Sequence, residues 1–281
     1  MFAPDRACLC DRIQLTRDTL SEREKYEWKP DGCELRPWNA TLFCELLGNR
    51  TLLIVGDSTA YQSAGTLSMM ISEYVPRGYC GANIKYGPSD HLVRMPANLT
   101  SHGERGAGLL KYTHKYRPDI VVMTGGGYHK TFEAYEKMFE LLSIDVHKIR
   151  SRYKNPPHFV FKTLNPAHAR CKPTGLKPFT GMSQFDSLFY PENPHPSWNW
   201  HLFRNFDELA KNKSVELGFS IIDMAPLYMR PDAHPGSLAS DLMKITNGLG
   251  DCFHYCLPGP LNIFSNFLLN MLVEHEFDKV I

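Results

Sequence analysis

The sequence carries no excess of either charge: 31 Lys and Arg stand against 30 Asp and Glu, a formal net charge of +1. No overall field is available to attract a polyanion, and no zinc-finger or RNP pattern is present, so nucleic acid is not implied as a partner. The chain has no run of about 18 apolar residues, so nothing in it reads as a membrane span or anchor. Met1 to Ile13 lacks the apolar centre of a signal peptide. Repeats, low-complexity tracts and blocks of like charge are also missing. What remains is an ordinary globular composition of 281 residues, 43% hydrophobic, enough for one large domain with a buried core.

Cysteine is plentiful. Eight in a chain of this size suggest disulfides and an oxidising compartment. The clusters Cys8-Leu9-Cys10 and Cys252 to Cys256 lack the paired C-x-x-C spacing of a zinc site, so disulfides are favoured over metal and no metal ligand is assigned. Four N-x-[ST] sequons, at Asn39, Asn49, Asn98 and Asn212, point the same way. With no leader visible, the secretory reading implies a truncated or processed form.

Short apolar runs alternate with amphipathic stretches. Strands are predicted at Thr51–Val55, Asp119–Met123, His158–Lys162 and Phe219–Asp223. Helices are predicted at Thr59–Tyr74, Phe132–Tyr153, Trp198–Lys213 and Leu261–His275, with a Pro- and Trp-rich loop over Pro173–Pro196. Strands alternating with helices imply a parallel sheet covered on both faces, an α/β fold. Ligands of such sheets bind beyond the carboxyl ends of the strands.

The first strand ends in Gly56-Asp57-Ser58-Thr59. Glycine permits a tight turn, and the next helix begins there with outward N–H groups that favour an anion. Ser58 there can present its hydroxyl as a nucleophile, with its own N–H as an oxyanion donor. Asp57 or Ser58 as a plain helix cap explains the tripeptide equally well. Catalysis needs a base held by a third group, and Asp251-Cys252-Phe253-His254 supplies a couple, with Cys252 and Cys256 able to pin the loop by disulfides. Asp232-Ala233-His234 supplies another. Residue spacing alone leaves both open, and most of the twelve histidines are surface or structural residues.

The ordered segments from Tyr26 to His275 resemble the trichome-birefringence-like proteins and their relatives, the PC-esterase group of SGNH-type acyl enzymes. The resemblance is carried by Trp28-Lys29-Pro30 with Cys33; by Val55-Gly56-Asp57-Ser58 with Gln62; and by the strand Asp119 to Gly125. It continues through Phe161-Lys162-Thr163-Leu164-Asn165-Pro166-Ala167-His168, Arg230-Pro231-Asp232-Ala233-His234-Pro235 and Asp251-Cys252-Phe253-His254-Tyr255-Cys256-Leu257-Pro258-Gly259. It implies a three-layer, flavodoxin-like parallel sheet, with an N-terminal segment at residues 1–45 and a catalytic domain at 46–281 in one compact unit. It selects Asp251 and His254 as partners of Ser58 and implies O-acetyl transfer to a polysaccharide in the Golgi lumen. No bound cofactor is implied; an acetyl donor serves as co-substrate. Hydrolysis of carbohydrate acetyl esters, or glycan binding with weak catalysis, are the competing activities.

Three departures from the family pattern stand out. Ala60-Tyr61 replaces a basic residue, Met123 replaces an Asn that helps to form the oxyanion hole, and Tyr255 replaces a Trp. Backbone N–H groups of Gly87, Gly125, Gly126 or Gly127 are therefore candidate oxyanion donors. Gln62, Asp232, His234 and Tyr255 are candidate substrate-binding residues, Tyr255 as a surface for sugar stacking. Trp198 and Trp200 are candidates to line a glycan groove, with core packing as the competing role.

Overall fold

A computed structural model of the chain describes residues 28–30, 32, 34–72, 80–96, 108–169, 171, 177–189, 199–234, 251–257 and 259–277. Trp198, the Asn98 sequon, Cys8, Cys10, Cys33 and much of the Pro173–Pro196 segment lie outside them.

Five parallel strands form one sheet in the order β2-β1-β3-β4-β5. They are β1 (Leu52–Gly56), β2 (Ile84–Pro88), β3 (Ile120–Met123), β4 (His158–Lys162) and β5 (Ser220–Ile222). The longer helices are α1 (Ala40–Leu47), α2 (Ser58–Ser72), α3 (Leu109–Tyr116), α4 (Phe132–Arg152), α6 (Phe203–Leu217) and α7 (Ile263–Phe277). Between α4 and α6 lies the short α5 (Met182–Asp186).

Alternation along the strands divides the core in two. Leu52, Ile54, Ile120, Val122, Val160 and Ile222 face a layer built from α1, α2 and α7. Leu53, Val55, Val121, Met123, Phe159 and Phe161 face a layer built from α3, α4 and α6. Both faces of the sheet are dry, which is why the central strands read as continuous apolar runs. The result is the three-layer α/β architecture, in the flavodoxin-like strand order.

The strand β2 escapes the sequence reading for a physical reason. It is an edge strand of sequence Ile-Lys-Tyr-Gly-Pro, and its lysine, glycine and proline interrupt the apolar run that marks a buried strand. The helices α1 and α3 also go unpredicted, each only eight residues long. α1 runs across residues 45 and 46 and packs its Ala40, Phe43, Cys44 and Leu47 into the core. The predicted Trp198–Lys213 helix begins at Phe203, after a 3₁₀ turn over Trp200–Leu202, and runs on to Leu217. Gly218 ends it in the left-handed conformation.

Two disulfides join described cysteines, Cys44–Cys80 and Cys171–Cys252, and Cys256 is disulfide-bonded as well. These bonds fit the oxidising environment of the secretory pathway. Among the described residues no helix is long and apolar enough to cross a membrane.

Candidate active site

The strand order reverses between β1 and β3, and sheets of this kind bind ligands beyond the strand ends at such a point. Both flanking loops carry predicted residues: Gly56-Asp57-Ser58 after β1, and Thr124 to Gly127 after β3. Gly56 must be glycine. A Cβ there would collide with the Thr124 carbonyl oxygen and lie 2.8 Å from the Ala60 Cβ.

The cap and the nucleophile turn out to be different residues. Asp57 Oδ1 accepts from the Thr59 N–H at 2.9 Å and from the Thr59 hydroxyl at 2.7 Å. Asp57 therefore caps α2, and Ser58, the first residue of the helix, keeps its hydroxyl for another partner. That partner is His254, whose Nε2 lies 2.7 Å from Ser58 Oγ. His254 Nδ1 donates to Asp251 Oδ2 at 2.9 Å. Asp251 Oδ1 accepts from the backbone N–H groups of Phe253 and His254 at 3.1 and 3.0 Å. One carboxylate thus folds its own turn with one oxygen and aims the imidazole with the other. Cys171–Cys252 ties this loop to the segment after β4.

The electrostatics follow from the contacts. Burial works against the Asp251 charge, but the charge and hydrogen bonds of His254 outweigh it and hold the carboxyl well below its usual range. Burial likewise opposes protonation of His254, yet Asp251 and, further off, Asp57 raise its basicity. The His254 side chain stays 27% exposed, so the base is not sealed from solvent. Asp57 is pushed up, chiefly by burial. Behind it, the buried Lys162 donates to the Thr163 carbonyl at 3.1 Å and to Asn165 Oδ1 at 2.7 Å, and burial pushes it down to about 8.

Four predicted substrate contacts are corrected. Gln62 is buried and spans α2 and the His254 loop, donating to the Tyr255 carbonyl at 2.8 Å and accepting from the Tyr255 N–H at 3.1 Å. Tyr255 is 1% exposed, its hydroxyl donating to the Pro166 carbonyl at 2.8 Å, and it offers no ring to a sugar. Asp232 is buried against Arg230, accepting two hydrogen bonds of 2.9 Å from the guanidinium. His234 is also buried, between His168 and the His254 backbone. All four residues shape the site from behind. Sequence position alone placed them near the site but not which way they face.

Trp200 is core, packed on Phe253 with ring centroids 6.1 Å apart. Met123 is fully buried among apolar side chains and supplies no donor. Gly125 and Gly126 lie on the loop leaving β3, packed against Leu92 and Leu164 respectively. Gly87 stands inside β2, where a Cβ would lie 2.7 Å from the Tyr112 ring, so its lack of a side chain serves packing.

Tyr86 is the residue missed by sequence. Its hydroxyl donates to the Gly56 and Asp57 carbonyls at 3.0 and 2.9 Å, steadying the turn that presents Ser58. It belongs to the strand whose signal was interrupted, so nothing in the pattern singled it out.

Residues 110–271 match the family described as PC-Esterase, the GDSL/SGNH-like acyl-esterase family found in Pmr5 and Cas1p. The chain is similar to xyloglucan O-acetyltransferase 3 of Populus trichocarpa, 25% identical over 90% of this chain and 76% of that protein. It is also similar to xyloglucan O-acetyltransferase 2 of Arabidopsis thaliana, 22% identical over 88% and 72% of the two chains. Xylan O-acetyltransferase 12 of Oryza sativa subsp. japonica is 21% identical over 89% of this chain and 61% of its own length. Among solved structures, the periplasmic domain of a lipopolysaccharide acetyltransferase from Salmonella ser. Paratyphi A aligns with a TM-score of 0.43 and 16% identity, over 82% of this chain and 84% of that one. With the match reaching from α3 through the His254 loop into α7, this chain belongs to the PC-esterase family of GDSL/SGNH-like acyl enzymes.

Proposed function

We propose that this chain is a polysaccharide O-acetyltransferase that works through an acetyl-enzyme on Ser58. The observation that carries the reading is the continuous contact from Ser58 Oγ through His254 to Asp251. The xyloglucan and xylan O-acetyltransferases among its relatives support a polysaccharide acceptor.

In the first half-reaction His254 takes the Ser58 proton as Oγ bonds to the acetyl carbonyl carbon. Asp251 stabilises the resulting imidazolium. The negative oxygen is held by the Ser58 N–H at the start of α2 and by a backbone N–H of Gly125 or Gly126. Collapse breaks the bond to the donor's leaving group, which departs with the His254 proton. In the second half a sugar hydroxyl gives its proton to His254 and attacks the acetyl-enzyme. Ser58 leaves, regains the proton, and the acetylated sugar is released. The acetyl donor is a co-substrate and no bound cofactor takes part. The Golgi lumen, where polysaccharides are built, suits both the acceptor and the disulfides.

Water in place of the sugar would make the same residues an esterase. Incubation with an activated acetyl donor and defined xyloglucan or xylan oligosaccharides separates the two outcomes by mass spectrometry. Acetylated oligosaccharide formed faster than free acetate is the expected result. Acetate alone, with every acceptor tried, would assign an esterase. Absence of any acetyl adduct on Ser58 would end the acyl-enzyme reading.

A further inference from the structure

Two buried imidazoles stand behind the catalytic loop. His168, after β4, is 0% exposed, and His234, after the 3₁₀ turn Pro231–Ala233, is 2% exposed. All four of their ring nitrogens are engaged. His168 Nε2 lies 2.9 Å from the Tyr228 carbonyl oxygen, and His234 Nδ1 lies 2.6 Å from the His254 carbonyl oxygen. His168 Nδ1 and His234 Nε2 face each other at 2.7 Å. A carbonyl oxygen has no proton to give, so both outward nitrogens carry N–H. Two neutral rings would then point bare lone pairs at each other. The contact is a hydrogen bond only when a third proton lies between them.

We propose that His168 and His234 share one proton as a cationic pair, and that this pair positions His254 by holding its backbone carbonyl. The inference rests on His254 being the base of Ser58. His234 touches no reacting atom and is a positioning residue.

Burial opposes the charge strongly enough to hold His234 down at about 4 even though the His254 carbonyl and the Asp251 and Asp232 carboxylates favour it. Burial, even after these favourable contacts, would leave both rings neutral near pH 7. The donor count outweighs it, because neutral rings turn the 2.7 Å contact into a repulsion. The groups facing the pair are Asp251 and His254 from the catalytic loop, and Asp232 with its partner Arg230 from the adjoining turn. The phenols of Tyr228 and Tyr255 complete the surround. A cation at this point also repels a proton on His254, offsetting part of the basicity that Asp251 lends it.

The first test uses the unaltered protein, labelled with nitrogen-15 at histidine only, in an NMR titration between about pH 5 and 8. A hydrogen-bonded proton coupled to one nitrogen of each ring is expected. Two singly protonated rings throughout that range overturn the proposal. This readout needs no activity, so it is separate from the acyl-enzyme reading. The second test is His168→Gln, whose amide N–H can donate to a neutral His234 and keep the clamp without its charge. With an activated acetyl ester, the acidic limb of kcat/KM should move up by about one pH unit, with plateau kcat nearly kept. A limb that stays or moves down overturns the charged pair. Removal of the clamp in His234→Leu should lower kcat by about ten- to a hundredfold with KM unchanged; an unchanged kcat overturns the positioning role.

Discussion

Asp232/His234 and Asp251/His254 are two couples of the same residue types, on loops that touch, yet they end in opposite employment. Asp251 meets His254, and His254 meets Ser58. Asp232 meets Arg230 instead, and His234 spends both nitrogens on His168 and a carbonyl. The spacing explains part of the difference. At a spacing of three, the Asp251 turn closes on two backbone N–H groups of its own loop and leaves the second oxygen beside the ring. At a spacing of two, across the Pro231–Ala233 turn, the nearest cation to Asp232 is Arg230. The rest is decided by neighbours far away in sequence. An Asp/His couple is a relay only when a nucleophile stands at its far end.

The largest effect that could break the contrast is at the nucleophile. Ser58→Ala should lower acetyl transfer by about a millionfold with the melting temperature nearly unchanged; near-normal turnover would remove the relay altogether. Next comes the pair of carboxylates. Asp251→Asn should cost about 10⁴ in kcat through the wrong tautomer of His254. Asp232→Asn should instead destabilise the fold by about 3 kcal/mol, because the buried Arg230 loses its counter-charge, with kcat at moderate temperature largely kept. Chemical denaturation beside steady-state kinetics reads both, and equal kcat losses would erase the distinction.

The disulfide behind the relay should matter less. Cys171 and Cys252 are 81 residues apart, and replacing both by Ala should cost about 2–4 kcal/mol, read as a shift of the denaturation midpoint. Smaller still is Gln62→Leu, expected to cost about 1–3 kcal/mol for the two stranded backbone groups of Tyr255. KM should stay put, because Gln62 does not reach substrate.

The pH dependence should separate stability from activity. His254 is raised, so its contribution to stability is whole below about pH 6.5 and is lost as pH rises through its folded value. Asp251 is depressed, so its contribution is whole above about pH 3.9 and is lost as pH falls through its folded value. Together they stabilise most between those limits, with His254 protonated. Catalysis needs His254 free of its proton, so kcat/KM should still be rising where this contribution fades. Coincident optima for stability and turnover would show that His254 is not the titrating base.

Much of the site was legible because its local chemistry is local in sequence. Gly56, Asp57 and Ser58 form one turn, and Asp251 to His254 another. Each turn could be located from its residue types, while its role in catalysis came from the ordered family blocks around it. Four of the five strands were legible, the three inner ones for a similar reason, since burial on both faces demands unbroken apolar runs such as Leu52 to Val55. Tyr86 was not, because an edge strand tolerates the polar and ring residues that hide it. Gln62, Asp232, His234 and Tyr255 were found but misassigned as substrate contacts. The same polar groups serve a ligand or a backbone equally well, and sequence does not reveal which side of a loop faces solvent.

By itself, then, the sequence determined the sheet's buried strands, the glycine turn at the start of the first helix, and the two turns that hold an Asp near a His. These depend on interactions within a few residues, or on a hydrophobic pattern that must repeat along the strand. Only the tertiary structure decided that Ser58 meets His254 across 196 positions, that Gln62 clamps the loop carrying that base, and that His168 closes on His234. Those pairings arise where the strand ends of the sheet, the chain crossing behind them and the Cys171–Cys252 bond bring distant loops into one volume. There, each buried donor must find whichever acceptor the packing has left beside it.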